Sequence, residues 1–214
     1  MHKIDEEGLA TAFAEVLRCL GYEKLEGHLE DTPKRAAKAW THELCRGLNE
    51  HGPKVTTFDT DVDEMIVLRH IPIRSMCAHH LLPFLGEATI GYVPGTGKLV
   101  GLSKLSRITD WFARRPQVQE ELTAQIADYV ASLVVDKDPG KEEDKGGPGW
   151  RKRARNLGPR GGVGVVIHAR HMCMELRGVE HKGDLSTSAL RGVFLTKPEA
   201  RAEFLQLVRT EHPL

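Results

Sequence analysis

The sequence predicts an α+β fold: helices first, then hairpin-like strands around a central pair of helices. Three observations carry this. Apolar residues recur at helical spacing through the first fifty residues, short apolar or alternating runs begin near residue 65, and two successive helical stretches separate the middle strands from the late ones.

The first helix is marked by Leu9, Phe13, Val16, Leu17 and Leu20, with Gly21 as its stop. A second starts at Asp31-Thr32-Pro33-Lys34-Arg35, where Thr32 or Asp31 caps and Pro33 fits the first turn, and it is expected to run to Gly47. Met65 to Ile71 reads as a strand bounded by Pro72, and Glu87 to Val93 as a strand ending in the turn Pro94-Gly95-Thr96-Gly97. Ser103 to Arg114 is helical through Leu105, Ile108, Trp111 and Phe112. Pro116 is expected to restart a helix through Val118, Leu122, Ile126, Tyr129 and Leu133. Residues 136–162 are rich in Gly, Pro and charge and are expected to form a mobile insertion. Gly164 to His171 is a further strand, Gly192 to Leu195 another, and Pro198 opens a terminal helix carrying Phe204, Leu205 and Val208. The division expected is a helical segment over 1–60 and a second domain, holding the strands, over 61–214.

Composition excludes some classes of function. Lys+Arg 30 against Asp+Glu 30 leaves a formal net charge of +0, so no global charge points to nucleic acid or an anionic membrane, and any anion site is local. The basic run Arg151-Lys152-Arg153-Ala154-Arg155 has no interleaved aromatics and is read as a solvated patch. No apolar run approaches the roughly 20 residues that span a bilayer. The start, Met1-His2-Lys3-Ile4-Asp5-Glu6-Glu7, lacks the apolar core of a secretory signal, and the expected location is the cytoplasm. The four cysteines are then expected to be reduced, Cys19 and Cys45 as small hydrophobes within helical patterns.

Ser75-Met76-Cys77-Ala78-His79-His80, with its downstream echo Arg170-His171-Met172-Cys173-Met174, concentrates the chemistry. Cys77 and His80 are spaced so that one turn can aim both at one ion, and Cys173 can add a third ligand from another element. Two thiolates and an imidazole suit zinc better than magnesium or calcium. Three protein ligands leave a fourth position open to water, the pattern of a catalytic site. His79 and His171 are then free to move protons beside the metal. Ser103, Lys104 and Arg107 open a helix whose backbone N–H groups favour anions, and with Arg35 and Arg177 they can hold a polyphosphate if they converge. Glu120, following Gln119, is by default an acid favouring the start of its helix.

These strings, together with Gly91-Tyr92-Val93-Pro94, Gly101-Leu102-Ser103-Lys104-Leu105-Ser106-Arg107, Arg115-Pro116-Gln117-Val118-Gln119-Glu120 and Arg177-Gly178-Val179, resemble the GTP cyclohydrolase I family of the single-domain bacterial and eukaryotic type. The likeness runs from about residue 5 to 210 apart from the insertion. It implies a helical N-terminal segment on a tunnelling fold (T-fold), whose antiparallel sheets and paired helices join into rings, a homodecamer with sites between subunits. It assigns zinc to Cys77, His80 and Cys173, and proton transfer to His79 and His171. Glu120, with Gln119 beside it, would hold the guanine edge, while Ser103, Lys104, Arg107, Arg177 and Arg35 would meet the triphosphate or ribose of GTP. The implied reaction is hydrolysis at C8, formate release and rearrangement to 7,8-dihydroneopterin triphosphate.

Three features depart from the family pattern. Ala78 stands where a Glu is usual, the Thr-rich run is altered to Asp184-Leu185-Ser186-Thr187-Ser188, and the charged insertion is long. Ala78 motivates a second reading, a paralogue that stops at a ring-opened GTP product. A third is a non-catalytic zinc- and GTP-binding regulator on the same scaffold, against which the presence of both His79 and His171 argues.

Overall fold

A computed structural model describes residues 4–49, 51–136 and 160–209. Residues 137–159, most of the expected insertion, lie outside the described residues.

The chain opens on α1 (Glu6–Cys19), capped by Asp5, whose carboxylate accepts from the Gly8 N–H at 2.9 Å. Helix α2 (Thr32–Ala39) begins as expected with Pro33 in its first turn, but it stops well short of Gly47. The chain instead widens into a π turn over Trp40–Leu44 and tightens into a 3-10 turn over Arg46–Leu48. There the Gly47 N–H leaves the helical ladder and donates to Arg114 O at 3.0 Å, so a tertiary bond replaces the helical one.

Strands β1 (Thr57–Asp59) and β4 (Lys98–Val100) form a small antiparallel ribbon. The main sheet contains β2 (Ile66–Cys77), β3 (Pro83–Val93), β5 (Pro116–Gln117), β6 (Gly162–His171) and β7 (Asp184–Gly192) in the order β5-β2-β3-β6-β7. All its pairings are antiparallel except β2 with β5. Strand β2 passes through Pro72 rather than ending there. The register shifts between Leu68 and Ile71, with His70 at φ 55°, and β5 joins β2 only at Met76 and Cys77. The missing proline N–H therefore interrupts no described ladder.

Helix α3 (Leu102–Ala113) matches expectation closely, whereas Pro116 starts β5 and α4 begins only at Gln119 (Gln119–Val134). Pairing of Gln117 with Cys77 holds the two residues before the helix extended. A strand expected at Gly192–Leu195 is a turn of helix, α6 (Val193–Thr196), which follows β7 after Gly192 at φ 62°. A one-turn α5 (Met172–Glu175) continues β6, and α7 (Pro198–Arg209) closes the described chain.

Helices α3 and α4 cover one face of the sheet, and Leu105, Ile108, Leu122 and Ile126 meet Ile73 and Ile90 in the main core. On the other side Phe204 of α7 packs edge-to-face on Phe194, with Val166 completing a second cluster. Gly91 and Gly164 make room for that ring: a Cβ on either would stand 2.6 and 2.5 Å from Phe204 atoms. No helix among the described residues is long and apolar enough to cross a membrane.

Candidate active site

One end of the sheet gathers the cysteine and histidine residues. Cys77 ends β2, Phe84 near the start of β3 pairs with His171 at the end of β6, and Cys173 follows in α5. Antiparallel pairing across three strands thus brings residues 96 positions apart into contact: Cys77 and Cys173 place their Sγ atoms 3.7 Å apart. The turn after β2 is tied down by Cys77 N–H to Leu82 O at 2.9 Å and Ala78 N–H to Gln117 O at 3.1 Å. Ala78 therefore contributes its backbone to the join between β2 and β5, while its side chain is exposed.

Ligand atoms of Cys77, His171 and Cys173 all lie within 4.8 Å of one another, which makes them a candidate metal centre. The chemistry of the donors fits a zinc ion. Two thiols in contact repel once ionised, and burial pushes the Cys173 thiol upward, with the neighbouring Cys77 adding to the shift and Arg177 opposing it. A divalent cation removes that penalty and favours both thiolates.

His80, expected as the imidazole ligand, stands outside this group. It is exposed and its Nε2 is 2.7 Å from Arg177 Nη1, from which it accepts. His79 is also exposed, with Nδ1 3.6 Å from Cys77 Sγ. His171 is buried, its ring stacked on Phe84 at 4.6 Å and 7°. Burial holds its pKa below the ordinary histidine value, with the charge of Glu120 pulling the other way. Glu120 is exposed at the first turn of α4, close enough for that charge to act on His171.

Gln119, which the resemblance places beside Glu120, is fully buried. Its Nε2 faces Ile167 O (3.1 Å), Leu185 O (2.9 Å) and Thr187 Oγ1 (3.0 Å), and its Oε1 is 2.9 Å from His171 Nε2. No sequence periodicity distinguishes an amide held inside from one that meets a ligand.

The basic residues are spread more widely. Ser103 and Arg107 are exposed and Lys104 half-buried on the opening turns of α3. Arg107 lines a cleft of about 400 Å³ with Arg46, His51 and Asp110. Arg35 reaches back to the turn before its own helix, with a guanidinium nitrogen 2.8 Å from His28 O. Hydrogen bonds around the centre thus join Cys173 to Cys77 and Cys77 to His79, His171 to Gln119, and separately His80 to Arg177. The α3 turn and Arg35 belong to other parts of the same chain.

Comparison with known proteins follows the same residues. The family model described as GTP cyclohydrolase I matches residues 9–138 and 153–209, and the gap between the two matched stretches falls within the charged segment. A relative from Hahella chejuensis, named GTP cyclohydrolase 1, is 41% identical over 210 residues, covering 96% of this chain and 98% of its own. Relatives of the same name from Halalkalibacterium halodurans and Mycobacterium ulcerans are each 41% identical, over 213 and 208 residues. They cover 98% and 95% of this chain, and 100% and 91% of their own.

Proposed function

From the membership of this chain in the GTP cyclohydrolase I family, we propose that it hydrolyses GTP at C8 of the purine, releases formate and yields 7,8-dihydroneopterin triphosphate. The observation that carries the reading is the meeting of Cys77, Cys173 and His171 within 4.8 Å at the end of the sheet. Groups able to handle protons and to bind a metal ion lie close together there, which supports hydrolysis at a ring carbon.

Cys77 and Cys173 would supply two thiolates to zinc and His80 the imidazole. A second assignment, with His171 as the imidazole, is favoured by its place in the three-residue group. When bound, zinc supplies a Lewis acid that lowers the pKa of water toward neutrality.

The remaining steps fall to the chain's own groups. His171, kept neutral by burial, can accept a proton at neutral pH, and exposed His79 can exchange one with solvent. The Glu120 carboxylate accepts N–H donors, and the guanine edge presents them in an array that adenine lacks. Free N–H groups at the start of α3, with Ser103, Lys104 and Arg107, offer an anion site for the triphosphate. Arg177 and Arg35 would complete it.

We infer a homodecamer in the cytoplasm. Support comes from large apolar side chains left in solvent on the single chain, among them Leu20 (69%), Leu176 (68%) and Val179 (76%), and from four cysteines without disulfides. Light scattering measures the subunit number.

The deciding experiment incubates the zinc-loaded protein with GTP and identifies products by mass. Formate and dihydroneopterin triphosphate are expected. A ring-opened compound as end product would instead identify a paralogue with altered chemistry, and unchanged GTP bound with metal would identify a regulator.

A further inference from the structure

Gln119, Thr123 and Thr187 form a closed ring of hydrogen bonds behind His171, and the direction of every bond in it follows from which groups can donate. Two of the partners of Gln119 Nε2 are the backbone carbonyls of Ile167 and Leu185, which only accept. The amide nitrogen must therefore face them, since the reversed amide would set oxygen against oxygen. Gln119 Oε1 is then the group 2.9 Å from His171 Nε2. An amide oxygen cannot donate, so Nε2 of His171 carries the hydrogen.

The hydroxyls lock the arrangement. Thr123 Oγ1 is 2.7 Å from Gln119 O, a carbonyl, so the Thr123 hydrogen is spent there. Thr187 Oγ1 is 2.6 Å from Thr123 Oγ1 and must donate to it. Its lone pairs are left to accept from Gln119 Nε2 at 3.0 Å. The two hydrogens of Gln119 Nε2 serve three acceptors, so one of them is shared, and every other donor has an acceptor of its own. Because Thr187 and Leu185 belong to β7, Ile167 and His171 to β6, and Gln119 and Thr123 to α4, the lock ties three elements to one imidazole.

We propose that Gln119, Thr123 and Thr187 are positioning residues that hold His171 as its Nε2–H tautomer, leaving the Nδ1 lone pair as the basic site offered to the Cys77–Cys173 centre. Phe84, stacked on the ring, fixes its plane, and the amide fixes its rotation within that plane. The Ser-Thr-Ser stretch of β7, a departure from the family's Thr-rich run, thus keeps a threonine at the position that the lock needs. The inference deepens the proposed cyclohydrolase reading and rests on it only for the effect on turnover.

The test uses the full-length, zinc-loaded protein labelled with 15N-histidine. Magic-angle-spinning NMR reads the protonated ring nitrogen, and His171→Gln identifies the signal. Wild type is expected to show a protonated Nε2 and a non-protonated Nδ1 at His171. Gln119→Met, which removes the amide oxygen facing Nε2, is expected to give a mixed tautomer signal. It should also lower kcat about tenfold with KM and metal content unchanged. A protonated Nδ1 in the wild type overturns the proposal, as does an unchanged signal in Gln119→Met. If Gln119→Met does not fold, the wild-type spectrum alone decides. If no pterin is formed from GTP, the proposed reaction fails while the tautomer measurement stands by itself.

Discussion

The Sγ atoms of Cys77 and Cys173 lie 3.7 Å apart across 96 residues of sequence, without a disulfide. Burial pushes Cys173 toward its protonated form, and the neighbouring Cys77 adds to that shift. A bound cation would turn this contact from a cost into a binding site.

Metal removal is therefore expected to lower stability. A ligand at a hundredfold excess over its dissociation constant contributes about 2.7 kcal/mol, so chelation should lower Tm by several degrees, and zinc should restore it. Cys173→Ala should abolish stoichiometric zinc in elemental analysis. His171→Ala should keep zinc but lose turnover if His80 is the imidazole ligand. Loss of zinc in His171→Ala but not in His80→Ala would establish the other assignment.

Gly164 and Phe204 set up a steric prediction. A Cβ at residue 164 would stand 2.5 Å from the buried Phe204 ring, so Gly164→Ala should destabilise the fold by about 1–3 kcal/mol in urea unfolding. Phe204→Ala should cost about 3–5 kcal/mol. In the double variant the glycine substitution should cost much less than it does alone, because the clashing ring is gone.

Tyr92 gives a pH prediction. Its hydroxyl accepts from Val100 N–H at 3.1 Å, and burial raises its pKa against a smaller opposing effect of that bond. The folded state therefore keeps the phenol proton that the unfolded chain releases above about pH 10. Stability from this group is complete below that value and is lost as pH rises toward the higher folded pKa. Tyr92→Phe should cost about 1–3 kcal/mol at neutral pH, because it orphans a buried N–H, and should flatten the alkaline decline. Urea unfolding at a series of pH values reads both effects.

Asp136 and Arg160 flank the charged segment and meet at its base, with Asp136 N–H donating to Arg160 O at 3.0 Å and their side chains 2.6 Å apart. The chain is already closed there, so replacing residues 139–152 with a short Gly/Ser linker should change Tm by no more than about 2 °C. A large loss in a thermal melt would mean that the segment contributes contacts of its own.

Local signals located most of the elements. The N-terminus of α2 was legible because Thr32-Pro33 acts through its immediate neighbours, and α3 because a 3.6-residue apolar period survives burial on one face. The misreadings share a cause. Pro72 lies within a strand because its neighbouring edge has no described partner, Pro116 starts a strand because Gln117 pairs with Cys77, and β7 carries too little apolar alternation to be seen without β6 beside it. Each depends on a partner far along the chain.

The Cys-His cluster shows the same division. By itself the sequence determined the types of donor present, since thiols and imidazoles at Cys77, His79, His80, His171 and Cys173 need no fold to be recognised as soft ligands and proton carriers. Only the tertiary structure decided how they are shared out. It set His171 beside the two thiols, turned His80 toward Arg177 and drew Gln119 inside to hold the imidazole. Ligand chemistry is a property of each residue, whereas distance and hydrogen-bond direction are properties of three strands and a helix meeting at one end of a sheet.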